Sequence, residues 1–433
     1  MDAVSTLRHT LRHKPVNPLD RTEADWSPWL VFADWLSERG DARGQGIALA
    51  HAIESGRGSV DEQRAWRAEL RAFETARDPA QRWLDGIVVP PRAELSWVHG
   101  FVLGANLGSW GNEAVEVQFL DALAAHPTGV LFSRLGWRGD LRALSRCQGL
   151  DGIVQLDLSN AAFGTEGLAA LAGNADLASV RHFRLDVPFS ARTGDEELAP
   201  IVGSRLVEGL QSLHVQGMSL SIPTLRALLT TADLSRLETL ALTADGIHEA
   251  GAVAIRDAAL PALRSLDLGG NPLGPGGARA LAGISGLNRL ELERSGLLDD
   301  GALALADNRS ATTLKHINLG ANGIGPRGGR VLAEGIGLGV ERLSLSRNAV
   351  GSEAAVALAN GPLAPRLRRV DLRATNLRDR AALAIAASPG WSALEWIHLG
   401  YNDFGIEAKR ALTTSASLAH ATVHVTKPVP PAV

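Results

Sequence analysis

Two groups of residues in this 433-residue chain have types and spacings that could carry out chemistry. Gly323, Gly325 and Gly328 match the glycine pattern of a dinucleotide-binding turn, in which small residues let the backbone approach a pyrophosphate. Cys147 is the only cysteine, and a cysteine thiolate is a strong nucleophile when it forms. The three glycines would bind a nucleotide, and Cys147 would be the nucleophile of an acyl-transfer enzyme.

The spacing of the glycines favours a structural interpretation. Gly274 and Gly277 lie 51 residues before Gly325 and Gly328, and the same offset separates equivalent apolar positions of the repeats described below. The chain also contains no G-x-x-x-x-G-K-[ST] sequence. We therefore expect these glycines to form a turn of a repeat, with no nucleotide cofactor.

Cys147 ends an apparent helix over residues 141–147, and no histidine lies near it in sequence. A free cysteine more often packs as a small buried hydrophobe. We therefore predict a structural cysteine, and a single cysteine without a partner is typical of a reducing compartment.

A third set of residues could bind a cation: Asp267, Glu291, Glu293, His316 and Asn318. Arg289 lies among them, and oppositely charged neighbours satisfy one another more simply than a metal ion does. No spacing supports a Ser-His-Asp or paired-carboxylate site. The sequence predicts neither a metal site nor a catalytic residue, and hence a protein that is not an enzyme.

Composition restricts the class of protein and of partner. The chain is 45% apolar and 21% charged with a net charge of −4, which is typical of a folded domain or repeat protein and removes the attraction that nonspecific nucleic-acid binders use. It contains no run of 18 apolar residues and no apolar N-terminal segment. We expect a cytoplasmic protein whose partner is neither nucleic acid nor membrane.

Internal repetition indicates which elements position these residues. From Leu150 onward a unit of the form L-x-x-L-x-L-x-x-N-x-L recurs every 24 to 30 residues. Its L-x-L segment alternates as a strand does, and the following segment has helical spacing. The fourth position of the unit is occupied by Leu156, Phe183, Leu213, Leu240, Leu266, Leu290, Ile317, Leu343, Val370 and Ile397. Stacked units would bury these residues together, which predicts parallel strands.

The repeats also contain a polar position where the chain leaves the strand. Asn271, Asn322, Asn348 and Asn402 occupy it, and their side chains could bond the backbone of neighbouring turns as a ladder. Ser295 and Thr375 replace asparagine in two other units, so we expect a weaker ladder there.

In these positions residues 150–425 resemble the leucine-rich repeat family, in its ribonuclease-inhibitor-like branch. The resemblance implies an α/β solenoid of about ten repeats, curved into a horseshoe with parallel strands on the concave face and helices on the convex face. It also implies a protein-binding function. A final strand near Val423 and a degenerate first strand at Leu135 and Trp137 would close its ends.

The N-terminal part has a different composition, because eight of the ten tryptophans lie in the first 137 residues. Ser27 and Pro28 predict the start of a helix, and Ser59 with Glu62 predicts a capping box at the start of another. Residues 30–49 and the segment after Trp97 are similar to a bacterial repeat-companion domain. We predict a mainly helical, capping domain over 1–110, a linking segment over 111–149, the solenoid over 150–425 and a proline-rich tail over 426–433.

Strand residues that point away from the leucine core are polar in nearly every repeat and vary in charge, which favours a binding surface. Residues 341–380 contain eight arginines against four acids, and Trp396 lies one repeat later; arginine and tryptophan are common interface anchors. We predict a noncatalytic scaffold for an unidentified protein partner. The alternative is regulation of an enzyme, as a GTPase-activating-like or ubiquitin-ligase-like factor. The predicted contact residues are Arg184, His214, Asp267, Glu291, Asn318, Arg342, Arg369, Asp371, Arg373, Trp396 and His398.

Overall fold

The structure is a computed structural model that describes residues 10, 23–75, 83–108, 113–162, 164–187, 198–258, 260–307, 313–335 and 339–425. The chain divides into two compact units. The first comprises Met1–Leu185 with Ser204–Glu208, and the second comprises Asp186–Gly203 with Gly209–Val433. The predicted proline-rich tail, Trp110 and an acidic segment at 195–197 lie outside the described residues.

The first unit begins with three helices, α1 (Glu23–Ser37), α2 (Arg43–Glu54) and α3 (Val60–Thr75). Trp26, Trp29 and Phe32 of α1 are buried with Ile47 of α2. The predicted capping box of α3 is confirmed, because the backbone amide of Ser59 donates to the Glu62 carboxylate at 2.7 Å.

The predicted start of α1 after Ser27 is wrong. The helix is already formed at Glu23 and contains Pro28 within it. A proline lacks one helical hydrogen-bond donor, but burial of Trp26 and Trp29, each at most 2% exposed, offsets that loss. The aromatic core therefore extends the helix beyond its local signal.

The rest of the first unit contains five strands with helices between them. An antiparallel pair, β1 (Glu94–Val98) and β2 (Phe101–Leu107), is followed by parallel β3 (Arg134–Trp137), β4 (Gln155–Asp157) and β5 (His182–Asp186). Helices α4 (Glu113–Ala125), α5 (Leu141–Leu144) and α6 (Thr165–Ala172) lie between these strands. The first strand predicted at Leu135 and Trp137 is confirmed as β3.

The second unit repeats one strand and one helix. Its strands are β6 (Ser212–Gln216), β7 (Thr239–Thr243), β8 (Ser265–Asp267), β9 (Arg289–Glu291), β10 (His316–Asn318), β11 (Arg342–Ser344), β12 (Arg369–Asp371), β13 (Trp396–His398) and β14 (Thr422–His424). Its helices are α7 (Ile222–Thr231), α8 (Glu249–Asp257), α9 (Gly274–Leu281), α10 (Leu298–Ala306), α11 (Pro326–Gly335), α12 (Gly351–Asn360), α13 (Asp379–Ala387) and α14 (Ile406–Thr414).

The strands of the second unit are parallel and in register at the predicted apolar position. Leu266 pairs with Leu290, Leu290 with Ile317, and Ile317 with Leu343. These central residues are at most 3% exposed, and consecutive helices pack against one another along the chain. The predicted α/β fold of stacked parallel strands is confirmed, and the apolar core lies between the strands and the helices.

The predicted asparagine ladder is also present. Asn348 is 3% exposed. Its side-chain Oδ1 accepts hydrogen bonds from the backbone amides of Asn322 and Ile324 at 2.8 and 3.0 Å. Its Nδ2 donates to the backbone carbonyls of Leu319 and Leu345 at 2.7 and 3.0 Å. Three of these hydrogen bonds tie the Asn348 side chain to the preceding repeat and the fourth stays within its own turn, so one buried amide satisfies backbone groups that water cannot reach.

Candidate functional site

The short strands of the second unit expose one face of the sheet. In β8, β9, β10, β11 and β13 the central residue is buried, while the residues on either side of it keep part of their surface in solvent, as at Arg342, Leu343 and Ser344. Successive strand side chains point to opposite faces, so the flanking residues share the face opposite the core. We call this the open face.

In-register pairing arranges the open face in rows. One row, at the first strand position, contains Arg289, His316, Arg342, Arg369 and Trp396. A second row, at the third strand position, contains Asp267, Glu291, Asn318, Ser344, Asp371, His398 and His424. Nine of the eleven predicted contact residues lie in or beside these rows. Arg184 lies on β5 of the first unit, where its Nε donates to Ser159 at 3.1 Å, and His214 lies on β6.

The acidic end of the open face is internally compensated. The Glu291 carboxylate lies 2.7 Å from the Arg289 guanidinium and 2.6 Å from His316 Nε2. Burial raises the pKa of Glu291, but the hydrogen bond and charge of His316 and the neighbouring Arg289 outweigh it and hold that pKa below its usual value. His214 is similarly placed 3.2 Å from Asp186.

Asp267 is in a different electrostatic environment from Glu291. It is partly buried, and its carboxylate accepts a hydrogen bond from the Gly269 amide at 2.9 Å. Burial, with the adjacent Glu291 charge, raises the pKa of Asp267 despite that hydrogen bond. Within the described ranges, no group of three or more His, Cys, Asp or Glu side chains is arranged to hold a metal ion.

A groove of about 180 Å³ opens on the basic end of the same face. It is lined by His316, Arg342, Leu343, Ser344, Arg369, Asp371 and Trp396. Arg342 and Arg369 face each other across β11 and β12, and Trp396 continues the row on β13. The structure thus brings together four of the predicted contact residues in one concave site: Arg342, Arg369, Asp371 and Trp396.

Two further predicted residues support this groove. Asp371 is only 9% exposed and binds the Arg373 guanidinium in a two-pronged pair, with an Nη2 to Oδ2 distance of 2.7 Å. His398 stacks on His424 with ring centroids 5.3 Å apart and meets Trp396 edge to face at 5.7 Å. The groove therefore ends in an aromatic cluster of Trp396, His398 and His424.

The glycines that match a dinucleotide turn have their amides engaged within the protein. The Asp299 carboxylate accepts from the amides of Gly325 and Gly328 at 2.7 and 3.0 Å, at the start of α11. An acidic group is favourable at a helix N-terminus. Asp299 comes from the preceding repeat, so the amides of Gly325 and Gly328 are already bonded to a carboxylate of the protein itself.

Cys147 lies in an environment that disfavours a nucleophile. The thiol is buried, and burial with the nearby Asp121 carboxylate raises the pKa of Cys147 to about 12. At neutral pH the side chain is therefore almost entirely the protonated thiol, which is a poor nucleophile.

No helix in the described part of the chain is long and apolar enough to cross a membrane.

Sequence reasoning missed Asp245, which occupies the ladder position of the β7 repeat. It is 0% exposed, and its Oδ1 accepts from the Met218 amide at 2.8 Å. Burial raises the pKa of Asp245 to about 7, against the opposing hydrogen bonds from Met218 and Gly217. A signal existed, because Asp245 follows Leu240 by the same five residues that separate Asn271 from Leu266.

Comparisons with known proteins identify the repeat. The family described as Leucine Rich repeat matches residues 260–282, 310–333 and 340–359. No curated protein matches the sequence.

Several solved structures resemble the chain. An internalin from Listeria monocytogenes has 15% identity and a TM-score of 0.42, over 70% of this chain and 82% of that chain. A leucine-rich repeat protein from Leptospira interrogans has 14% identity and a TM-score of 0.39, over 71% and 74%. The Rad7 and Elc1 complex in yeast has 16% identity and a TM-score of 0.36, over 67% and 77%. Identities this low carry no information on partners. The matched segments show leucine-rich repeats within residues 260–359, and the strand–helix register of the second unit shows an α/β solenoid.

Proposed function

We propose that the protein is a noncatalytic scaffold that binds a protein partner on the open face of its second unit, the concave face of the predicted horseshoe. The observation that carries the proposal is the groove formed by Arg342, Arg369 and Trp396 on three neighbouring strands. Arginine and tryptophan are enriched among residues that dominate binding energy at protein interfaces.

Rigidity supports this function. The groove residues lie on strands held by backbone hydrogen bonds, for example from the Arg369 amide to the Glu341 carbonyl at 3.0 Å. The buried Asn348 and Asn402 side chains fix the turns on either side. Because this backbone is ordered before association, binding costs little additional conformational entropy.

Finer assignments belong to the same proposal. Helices of eight to ten residues follow most strands of the second unit, which supports the ribonuclease-inhibitor-like branch. The three N-terminal helices support a capping, repeat-companion domain over residues 1–110. The linking segment over 111–149 and the solenoid from residue 150 stay predictions. An unpaired buried cysteine agrees with a cytoplasmic location. The enzyme-regulator alternative stays a prediction.

A comparison of variants tests the proposal. Partner capture from extracts of the source organism is compared for the wild type, a triple variant R342A/R369A/W396A, and a control R378A/R410A. Arg378 and Arg410 are exposed on the helix side of the repeats, so the control loses two positive charges from the other face. We expect the wild type and the control to retain the same partner and the triple variant to lose it. Equal recovery from all three proteins would contradict the proposal.

A further inference from the structure

Among the described residues Arg342 and Arg369 form no ion pair, whereas other basic residues near them do. Arg289 pairs with Glu291 and Arg373 with Asp371, and just outside the groove Lys315 pairs with Glu341. Within the part of the chain that the structure describes, the guanidinium groups of Arg342 and Arg369 have neither an ion-pair partner nor a hydrogen-bond acceptor.

Their placement makes this lack of a partner costly. Arg342 and Arg369 are directly opposite each other on adjacent parallel strands, and strands lie about 4.8 Å apart. Like charges in that arrangement repel and destabilise the sheet. An anionic group placed between them would remove the repulsion and accept hydrogen bonds from both guanidinium groups.

The neighbouring end of the groove is suited to an apolar group. Trp396 is half-buried, and its ring contacts both His398 and His424 at centroid distances of 5.7 and 5.8 Å. Burial lowers the pKa of His398, so its imidazole is mainly uncharged near neutral pH. A fixed aromatic surface with a neutral neighbour favours contact with an aliphatic or aromatic side chain.

Two carboxylates of the protein also lie near the arginines. Asp371 lines the groove, and Arg342 is close enough to Glu341 to contribute to lowering that carboxyl's pKa, behind the larger effects of Lys315 and Arg368. Both carboxylates are themselves paired, Asp371 with Arg373 and Glu341 with Lys315. They leave the two arginines as the net positive charge that an incoming anion meets.

Resting on the proposed function, we propose that the groove recognises an acidic protein segment in which an Asp or Glu and an apolar residue lie two positions apart. The acidic side chain bridges Arg342 and Arg369, and the apolar side chain packs on Trp396. From the midpoint of the arginine pair to Trp396 is about 7 Å at the strand spacing, and residues i and i+2 of an extended peptide are separated by about the same distance. The partner segment therefore crosses the strands in an extended conformation.

Selection from random twelve-residue peptides displayed on phage tests this specificity with the full chain as bait. The best peptide is then synthesised with a fluorophore in three forms: unchanged, with its acidic residue replaced by the corresponding amide, and with phosphoserine in place of the acidic residue. Fluorescence anisotropy gives the Kd of each form for the wild type, R342Q/R369Q, W396A and the matched control R378Q/R410Q. Circular dichroism confirms that each variant is folded.

We expect enrichment of peptides with an acidic and an apolar residue two positions apart, and equal binding by wild type and control. Replacing the acid by its amide should weaken binding to the wild type by about tenfold to a hundredfold, because hydrogen bonds between charged groups are among the stronger ones. The same change should have almost no effect on binding to R342Q/R369Q, which identifies the arginines as the acid's partners.

Other outcomes overturn the inference in distinguishable ways. Peptides that lose affinity for W396A but bind equally well without their acid would refute acidic recognition and leave the proposed function standing. Tighter binding of the phosphoserine form would refute the choice of carboxylate. Selected peptides that bind all four proteins equally would refute both the inference and the use of this face.

Discussion

Replacing Asp245 by asparagine should stabilise the protein, and the gain should grow with pH. Asp245 holds the ladder position that asparagine occupies in the next repeat, where Asn271 donates from Nδ2 to the carbonyls of Leu242 and Leu268 at 2.6 and 3.0 Å. An ionised carboxylate cannot donate, and Asp245 Oδ2 is buried without a hydrogen-bond partner in the described part of the chain. D245N supplies the missing donor and removes a buried charge.

The pH dependence follows from the raised pKa. Asp245 titrates at about 7 in the folded protein against an ordinary value of 3.8, so between these values the folded state holds a proton that the unfolded state has released. Stability therefore falls as pH rises through this window. Between pH 5 and pH 8 the ionisation of Asp245 lowers the free energy of unfolding of the wild type by about 3 kcal/mol, because one pKa unit corresponds to about 1.4 kcal/mol.

Urea unfolding at pH 5 and pH 8 measures this effect on the wild type, D245N and the control D307N, which makes the same change at an exposed position. Hydrogen exchange of β6 and β7 reports the local part of the change. We expect the free energy of unfolding of D245N to exceed that of the wild type by about 1 kcal/mol at pH 5, because of the added hydrogen bonds. At pH 8 the difference should be about 4 kcal/mol. A difference that is the same at both pH values would refute a titrating, buried Asp245.

Three other substitutions or reactions test separate features. N348A should lower the free energy of unfolding in urea by about 3 kcal/mol, because it leaves buried backbone groups unpaired. A decrease no larger than that of the exposed N288A would show that the ladder does not stabilise the fold. D299A should lower the free energy of unfolding by about 1 kcal/mol and speed hydrogen exchange at the start of α11, because it removes the acceptor for the amides of Gly325 and Gly328. Unchanged exchange there would show that Asp299 does not cap α11. Iodoacetamide at pH 8 should alkylate Cys147 at least about a hundredfold more slowly in the folded protein than in urea, and equal rates would show an accessible, reactive thiol.

The repeat positions could be predicted from sequence because they follow a simple physical constraint. Each leucine must be buried by its neighbours in the stack, so Leu266, Leu290 and Ile317 recur at nearly constant spacing. The asparagines at Asn271 and Asn348 were equally visible, since the same turn recurs with the same unpaired backbone groups. The start of α1 could not be placed, because burial of Trp26 outweighs the local signal of Ser27 and Pro28.

The candidate groove could be predicted only as a set of residues. Sequence placed Arg289, Arg342, Arg369 and Arg373 among strand residues of similar exposure. Arg289 and Arg373 are neutralised by carboxylates at 2.7 Å, while Arg342 and Arg369 have no such partner among the residues that the structure describes. Charge compensation depends on distances of a few ångströms between side chains, which residue spacing does not specify.

By itself, the sequence determined the α/β repeat, the register of the strands and the polar character of one face, because short-range alternation and burial fix each of these within a repeat. Only the tertiary structure decided that Asp299 caps the next helix, that Asp245 is enclosed in the ladder, and that Arg342 and Arg369 lie together unpaired beside Trp396. These features arise between repeats, since each depends on which atoms of one turn come within bonding distance of the next.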